Sequence, residues 1–177
     1  MAKATAFATR GQKVVIAQLV RLYWRPPERS IGEVSRVEVK ATEFIKKRYL
    51  HMKSDEAAIW TKFLRQTELE FDRIIYDLHL GKGQPIVPGE PPYITALKRA
   101  VTRKRVDAVG MNDEAVWIFE VKPRVGMSAL GQLLSYYELY AKEYPTDRYV
   151  FLAAIGERKE PDIDDIFALH AINIFLV

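Results

Sequence analysis

The chain has 177 residues, a formal net charge of +4 and 49% hydrophobic residues, which fits one domain of ordinary size with a sizeable core. It contains no cysteine, and this excludes disulfides, thiolate zinc sites and iron–sulfur clusters. The first residues lack the apolar core of a signal peptide, and no apolar run has the length of a membrane span. We therefore expect a cytoplasmic, intracellular protein without a membrane partner.

Residues 1–53 are predicted to form an amino-terminal extension that packs on a core domain of residues 54–177. Two runs in this extension, 13–24 and 33–40, are rich in β-branched residues and could pair as a β-hairpin. The sequence leaves the role of the extension open among a dimer contact, a clamp on a nucleic-acid strand and simple packing.

The core is predicted to begin with a helix over 54–80, because Ser54 can cap its start, apolar residues recur at helical spacing and Gly81 follows. Glu70 flanks the apolar face of this helix on one side and Glu68 flanks it on the other, so either carboxylate could reach the edge of a neighbouring sheet. After a loop rich in glycine and proline, residues 93–100 are expected to form the first core strand.

The clearest pattern is a β-hairpin made of the runs 105–111 and 115–122, with a polar turn between them. If Asp113 and Glu114 are the central turn residues, Asp107 lies directly across from Glu120. Opposed side chains have Cβ atoms about 4.5–5.5 Å apart, and like charges there are destabilising. A divalent cation would compensate the two carboxylates, since Mg²⁺ is held by carboxylates together with substrate phosphate oxygens.

Strand alternation places Glu120 and Lys122 on one face of the hairpin, with Trp117, Phe119 and Val121 on the other. Both strands are apolar on both faces, as expected in the middle of a sheet, so charges there need a reason. The alternative is that Glu120 and Lys122 form an ordinary pair on a solvated face.

Beyond the hairpin, we expect a helix over 128–143, a buried strand over 149–155, a last helix beginning in the acidic stretch 162–165, and an edge strand over 172–177. Gln132 and Tyr136 lie four residues apart and therefore share one face of the first of these helices. The same face could instead serve only to pack the core. The three histidines, His51, His79 and His170, are scattered along the sequence and receive no predicted role.

The aspartate, the short hairpin and the Glu-x-Lys tripeptide resemble the PD-(D/E)xK nuclease superfamily, and Gln132 with Tyr136 resembles the QxxxY motif of its RecB-like branch. The resemblance covers roughly residues 55–177 and departs from the pattern at Val106, which stands where the motif has proline. It implies an α/β fold with a restriction-endonuclease-like core in the order αβββαβ, in which helices flank a mixed sheet.

The resemblance further implies a deoxyribonuclease that depends on Mg²⁺ or Mn²⁺. In such an enzyme Asp107 and Glu120 would hold one or two ions together with the carbonyl of Val121. Lys122 would orient or deprotonate the attacking water and stabilise the charge that develops on the phosphate. Oxygen ligands without a paired histidine suit hard ions rather than zinc.

Other residues would complete that site. Gln132 and Tyr136 would position the nucleic-acid backbone, and Glu70 would supply a further acid from the first helix. The basic residues that lead into Asp107 would contact phosphates, since a cluster of cations fits an anionic backbone, although charge runs are usually solvated faces; they are Lys98, Arg99, Arg103, Lys104 and Arg105. A second basic group contains Lys46, Lys47, Arg48 and Lys53.

Two other functions stay open. The first is a catalytically inert protein of the same fold that binds nucleic acid or assists assembly, for example of viral or mobile-element origin; opposed carboxylates argue against it, because they repel phosphate. The second is a small-molecule enzyme, for which the sequence offers neither a phosphate-binding glycine loop nor a nucleophile elbow. DNA is the expected partner and RNA is not excluded, while substrate form, endonuclease or exonuclease action, and homo-oligomerisation stay open.

Overall fold

In the described part of the chain the main sheet has five strands, of which the first three in sequence are antiparallel neighbours. The computed structural model describes residues 41–49 and 51–177, so both runs of the predicted amino-terminal hairpin, 13–24 and 33–40, lie outside the described residues. The helices are α1 (Ser54–Gln66), α2 (Pro92–Thr102), α3 (Met127–Glu143) and α4 (Asp164–Leu169). The strands are β1 (Arg73–Leu80), β2 (Lys104–Met111), β3 (Ala115–Val121), β4 (Arg124–Val125), β5 (Tyr149–Gly156), β6 (Arg158–Lys159) and β7 (Ile172–Leu176).

The main sheet has the strand order β1-β2-β3-β5-β7, and β4 pairs with β6 in a separate two-stranded ladder. Strands β1, β2 and β3 run antiparallel to their neighbours, whereas β5 runs parallel to β3 and β7 runs parallel to β5. Helix α1 packs on one face of this sheet, and α3 and α4 pack on the other. The prediction of an α/β fold with a mixed sheet flanked by helices is therefore confirmed.

From α1 to β5 the described elements run helix, strand, strand, strand, helix, strand, with α2 inserted between β1 and β2 and the short β4 between β3 and α3. The predicted hairpin register is confirmed, because Ala108 pairs with Phe119 and Gly110 pairs with Trp117. The helix predicted over 128–143 and the strand predicted over 149–155 match α3 and β5 within a residue at each end. Strand β7 lies at the sheet edge, as predicted.

The helix predicted over 54–80 is wrong beyond Gln66. Thr67 has extended backbone angles, with φ −73° and ψ 142°, and its hydroxyl accepts a hydrogen bond from the amide of Leu69 at 3.1 Å. Such a local bond offers the backbone an alternative to the helix. The apolar residues that were assigned to the second half of the helix, such as Ile74, lie on β1 instead.

The strand predicted over 93–100 is also wrong, because these residues belong to helix α2. Pro92 occupies the first turn, where its missing amide costs nothing. Tyr93, Leu97 and Val101 are spaced by four residues, as on one helical face, yet all three are exposed. Helix α2 contains no buried residue, so its apolar spacing reflects no contact with the core. The first strand of the sheet is β1.

Candidate active site

The carboxylates of Glu120 and Glu56 form ion pairs with the ammonium group of Lys122, directly after the end of β3, and the charge of Asp107 also acts on it. The Lys122 Nζ atom lies 2.6 Å from Glu120 Oε1 of β3 and 3.8 Å from Glu56 Oε1 of α1. Asp107 of β2 accepts a hydrogen bond from the amide of Val121 at 2.8 Å. The predicted grouping of Asp107, Glu120 and Lys122 is thus present in the structure.

Asp107 lies where strands β1 and β2 both change which face their side chains occupy. Tyr76 packs with the α1 side of the sheet, whereas Leu78, two residues later, packs with the α3 side. Asp77 between them has a φ of 57°, in the left-handed region that aspartate tolerates better than most residues. The pairs that flank Asp77 in the ladder place it across from Asp107. Asp107 therefore lies at the position where β2 changes the face on which its apolar side chains pack.

Glu120 is only 1% exposed, and its Oε2 atom has no hydrogen-bond partner among the described residues. The hydroxyl of Tyr136 lies within hydrogen-bonding reach of this carboxylate and 2.7 Å from the carbonyl of Arg105, so one proton serves two acceptors. A buried acceptor without a donor costs free energy comparable to a lost hydrogen bond. The unpaired oxygen therefore marks a place where a cation or a donor is needed.

Burial raises the pKa of both carboxyl groups. Burial raises the pKa of Glu120 to about 7, and the neighbouring charge of Asp107 adds to this effect. Burial also raises the pKa of Asp107 to about 6, although the Val121 amide and Lys122 act in the opposite direction. Perturbed carboxylates of this kind are typical of functional sites, and a bound cation would favour their charged forms.

Lys122 remains charged in this environment. Burial disfavours its ammonium group, but the carboxylates of Glu120, Asp107 and Glu56 outweigh that effect, and the pKa of Lys122 is raised. Within residues 41–49 and 51–177, no three histidine, cysteine, aspartate or glutamate side chains are grouped closely enough to form a metal site as they stand. An ion bound by both Asp107 and Glu120 would require the ammonium group of Lys122 to move away from Glu120, because the two groups lie 2.6 Å apart.

The donor set nevertheless suits a hard divalent ion. Asp107 and Glu120 offer oxygen atoms only, and one of those oxygens, Glu120 Oε2, is buried without a partner. Mg²⁺ and Mn²⁺ prefer carboxylate and carbonyl ligands. The residues therefore fit the ion that the Glu-x-Lys motif implies.

The helix face predicted to carry Gln132 and Tyr136 does meet the site. Gln132 Nε2 donates to the Tyr136 hydroxyl at 3.1 Å, and that hydroxyl donates to the Arg105 carbonyl at 2.7 Å. Burial first, and then the charge of Glu120, raises the pKa of Tyr136. Tyr136 thus ties α3 to the start of β2 and closes one side of the Glu120 carboxylate.

The acid that α1 contributes to this cluster is Glu56, which the sequence reasoning missed. Glu56 is 7% exposed and accepts a hydrogen bond from the amide of Lys53 at 2.9 Å, as a glutamate does in the first turn of a capped helix. Glu70 is exposed and follows the helix, and its backbone carbonyl accepts a hydrogen bond from Asn112 in the hairpin turn. The structure therefore does not bring Glu70 to Asp107 and Glu120, and the exposed Glu68 also lies beyond the helix.

Three of the five predicted phosphate-binding cations have partners inside the protein. Lys98 pairs with Glu90, Arg105 binds both oxygens of Asp77, and Arg103 donates to the carbonyls of Gly81 and His79 and to Glu143; the last set of bonds is 2.6, 2.7 and 3.0 Å long. Arg99 and Lys104 are exposed and make no ion pair with any other described residue. Among the five, Arg99 and Lys104 are the cations most available to an external phosphate.

His51 and His79, which are far apart in the sequence, both lie next to the carboxylate of Asp77. The Nε2 atoms of His51 and His79 lie 2.7 Å and 3.3 Å from Asp77 Oδ2, and Arg105 Nε lies 2.7 Å from Oδ1. Burial alone would raise the pKa of Asp77, but Arg105 and the histidines outweigh it and hold that pKa below its ordinary value. Nothing in the spacing of these residues along the chain indicated this cluster, because it depends on β1, which was predicted as helix.

No helix in the described part of the chain is long and apolar enough to cross a membrane. Comparisons with protein-family models, with curated proteins and with solved structures found no match to this chain.

Proposed function

We propose that this chain is a Mg²⁺- or Mn²⁺-dependent deoxyribonuclease of the PD-(D/E)xK type, with the QxxxY motif of the RecB-like branch. The observation that carries the proposal is the proximity of the Asp107 and Glu120 carboxyl groups beside Lys122, with one Glu120 oxygen buried and without a hydrogen-bond partner among the described residues. A structural salt bridge would not need a second opposed carboxylate. A site that must bind a cation and then stabilise phosphate charge needs both the acids and the ammonium group.

The fold supports the same proposal. Apart from α2 and the two-residue β4, a helix, three antiparallel strands, a helix and a parallel strand follow one another from α1 to β5, in the order expected for a restriction-endonuclease-like core. The inserted helix α2 does not disturb the sheet, because β1 and β2 still pair directly.

Each residue of the site has a distinct task in the proposed reaction. Asp107 and Glu120, with the carbonyl of Val121, would hold the ion, which when bound polarises the phosphate and lowers the pKa of a water molecule. Lys122 would leave Glu120, orient the attacking water and stabilise the charge on the phosphate oxygens. The carboxylate of Glu56 would hold the ammonium group in that new position, since it already lies 3.8 Å away.

Gln132 and Tyr136 would position the substrate backbone, and their hydrogen bonds to each other and to Arg105 fix their orientation. The exposed Arg99 and Lys104 would contact phosphates further along the strand. DNA is the proposed substrate, and the same contacts would accept RNA.

One observation favours the catalytically inert alternative. Lys122 already gives Glu120 a counter-charge at 2.6 Å, so this carboxylate does not depend on an ion for one, as in a site used only for binding. The two functions differ in what a metal does, because an inert binder gains no cleavage from Mg²⁺ or Mn²⁺.

The test is to incubate the purified protein with labelled linear DNA and covalently closed circular DNA, with Mg²⁺, with Mn²⁺ and with EDTA. We expect metal-dependent cleavage that Glu120→Gln abolishes and that Glu114→Gln, an exposed change in the hairpin turn, leaves intact. Cleavage of the circle would identify an endonuclease, and cleavage of the linear DNA alone an exonuclease. No cleavage of either DNA with either ion, or equal cleavage by Glu120→Gln, would contradict the proposal.

A further inference from the structure

An open groove of about 470 Å³ lies between residues 46–49 and helix α1, on a surface that the proposed function has not used. Lys46 and Lys47 line it from the segment before the helix, and Lys62 and Arg65 line it from the helix itself. None of the described residues that line this groove is acidic. The groove therefore concentrates positive charge in a concave surface, where the field of several cations adds up.

The cations of this groove are available to a ligand, although the Nζ atom of Lys46 lies over the Tyr76 ring, 4.4 Å from its centre. Lys46, Lys47, Lys62 and Arg65 are all exposed, and none of them forms an ion pair with another residue of the described chain. The basic residues that lead into Asp107 differ in this respect, because Lys98, Arg103 and Arg105 all form ion pairs with acidic residues of the protein. Unpaired cations lose no internal ion pair when they bind an external anion.

The shape of the groove suits a chain of phosphates rather than a single anion. Ala57 and Ala58 contribute only methyl groups to its surface and leave room for the backbone of a bound strand, while Ser54 adds a hydroxyl group. Lys62 and Arg65 are three residues apart on α1 and therefore neighbours on its surface. A polyanion can meet cations from both sides of such a groove at once.

The groove and the candidate active site share the start of α1. Ser54 and Ala57 line the groove, and Glu56 between them reaches Lys122. A strand that occupies the groove would thus be held by the same helix turn that carries the acid of the site.

We infer that this groove binds the sugar–phosphate backbone of the nucleic-acid substrate. The inference rests on the proposed function for its choice of ligand. The binding is electrostatic and independent of base sequence, because the residues that line the groove offer cations and a hydroxyl group to phosphates.

The test measures binding of a fluorescein-labelled oligonucleotide, as single strand and as duplex, at several salt concentrations in EDTA. The protein carries Glu120→Gln so that the DNA stays intact. The groove variant adds Lys62→Ala and Arg65→Ala, which change exposed helix positions to the best helix former. The control variant instead adds Lys142→Ala and Arg148→Ala, which remove the same charge.

Both control residues are exposed, and Arg148 lies at the end of β3 opposite to Lys122. Arg148 precedes Tyr149, which pairs with Ala115 at the start of β3, whereas Lys122 follows the end of that strand. Seven strand residues at about 3.3 Å each separate the two ends by roughly 20 Å. A second groove variant, Lys47→Ala with Lys62→Ala, takes one cation from each side and guards against a folding defect in the first.

For the form of DNA that binds more tightly, we expect both groove variants to bind on the order of tenfold more weakly at low salt, with the slope of log K against log[salt] reduced by about 0.7–0.9 for each lost contact. The control should keep its affinity and slope. Groove variants with unchanged affinity, a control that weakens as much, or a parent that binds no DNA at low salt would each overturn the inference.

The outcome is separable from that of the cleavage assay. Cleavage that depends on Glu120, together with unchanged binding by the groove variants, would support the nuclease proposal and contradict the proposed role of the groove. Binding that depends on the groove, together with no metal-dependent cleavage, would support the role of the groove and contradict the nuclease proposal.

Discussion

The Nζ atom of Lys122 lies 2.6 Å from Oε1 of Glu120, while the other oxygen of the same buried carboxylate has no hydrogen-bond partner within the described residues. One side of Glu120 is thus neutralised and the other is not. This asymmetry leads to predictions for Lys122, for Glu120 and for the acid that approaches them from α1.

Lys122→Ala is expected to lower the rate of DNA cleavage by about 10²–10³-fold, because it removes a charge that stabilises the transition state. The rate should be measured under single-turnover conditions with saturating Mg²⁺. Lys142→Ala, an exposed change in the last turn of α3, is the control and should cleave normally. Equal rates for the two variants would place the chemistry elsewhere.

Glu56→Gln is expected to lower the cleavage rate at least tenfold, because it removes the charge that faces Lys122. The glutamine keeps an acceptor for the Lys53 amide, so the helix cap and the Tm should change little. Glu70→Gln changes an exposed carboxylate that follows α1 and should have no effect. The opposite ranking of the two variants would restore the acid that the sequence pattern favoured.

The stability of the metal-free protein is expected to fall as the pH rises from 5 to 7.5. The pKa values of Asp107 and Glu120 are raised to about 6 and about 7, from about 3.9 and 4.3 in unfolded chains. The native state therefore binds more protons in this interval, so the stability that these groups contribute is complete below pH 4 and is lost as they ionise. Asp77, whose pKa is lowered, acts only below this interval.

The measurement for this prediction is urea unfolding in EDTA at several pH values. Glu120→Gln should make the dependence shallower, and Glu114→Gln should leave it unchanged. A stability that increases between pH 5 and 7.5 through the action of Glu120 would contradict the assignment of a buried, proton-sharing pair.

Arg103→Ala is expected to destabilise the protein by about 1.5–3 kcal/mol, because Arg103 donates to two backbone carbonyls and to Glu143. Arg99→Ala should change stability by less than about 0.5 kcal/mol, since its side chain is exposed and makes no ion pair with another described residue. Denaturant titrations of the two variants make the comparison. Equal stabilities would show that the bonds of Arg103 contribute little.

The hairpin and its register could be predicted because they depend on local signals. A polar turn and period-two alternation fix which residues oppose each other, and a shift of one residue would turn Phe119 and Val121 to the opposite face. The cluster of Asp107, Glu120 and Lys122 follows from that register alone. The face of α3 that contacts the site could also be predicted, because Gln132 and Tyr136 are one helical turn apart.

The errors arose where local signals were ambiguous. Residues 73–80 contain apolar residues at spacings that fit a helix as well as a strand, and no glycine or proline separates them from α1. Because β1 was not predicted, the cluster of Asp77 with His51 and His79 was not predicted either. Glu56 was hidden because an acid in the first helical turn is usually explained by capping alone. Residues 93–100 of α2 were wrongly predicted as a strand. The helical spacing of their apolar residues is a weak signal, because none of these residues is buried against another part of the described chain.

The measurement that tests the central claim most directly is a titration of Mn²⁺ into the protein at pH 8, where both carboxyl groups are ionised, with free Mn²⁺ counted by electron paramagnetic resonance. Asp107 and Glu120 should bind Mn²⁺ in the wild-type protein, Glu120→Gln should weaken that binding at least tenfold, and Glu114→Gln should not. DNA cleavage in the same samples should follow the bound fraction. A wild-type protein that binds no Mn²⁺ at millimolar concentration, or a Glu120→Gln variant that binds it equally well, would contradict a metal-dependent nuclease site at Asp107 and Glu120.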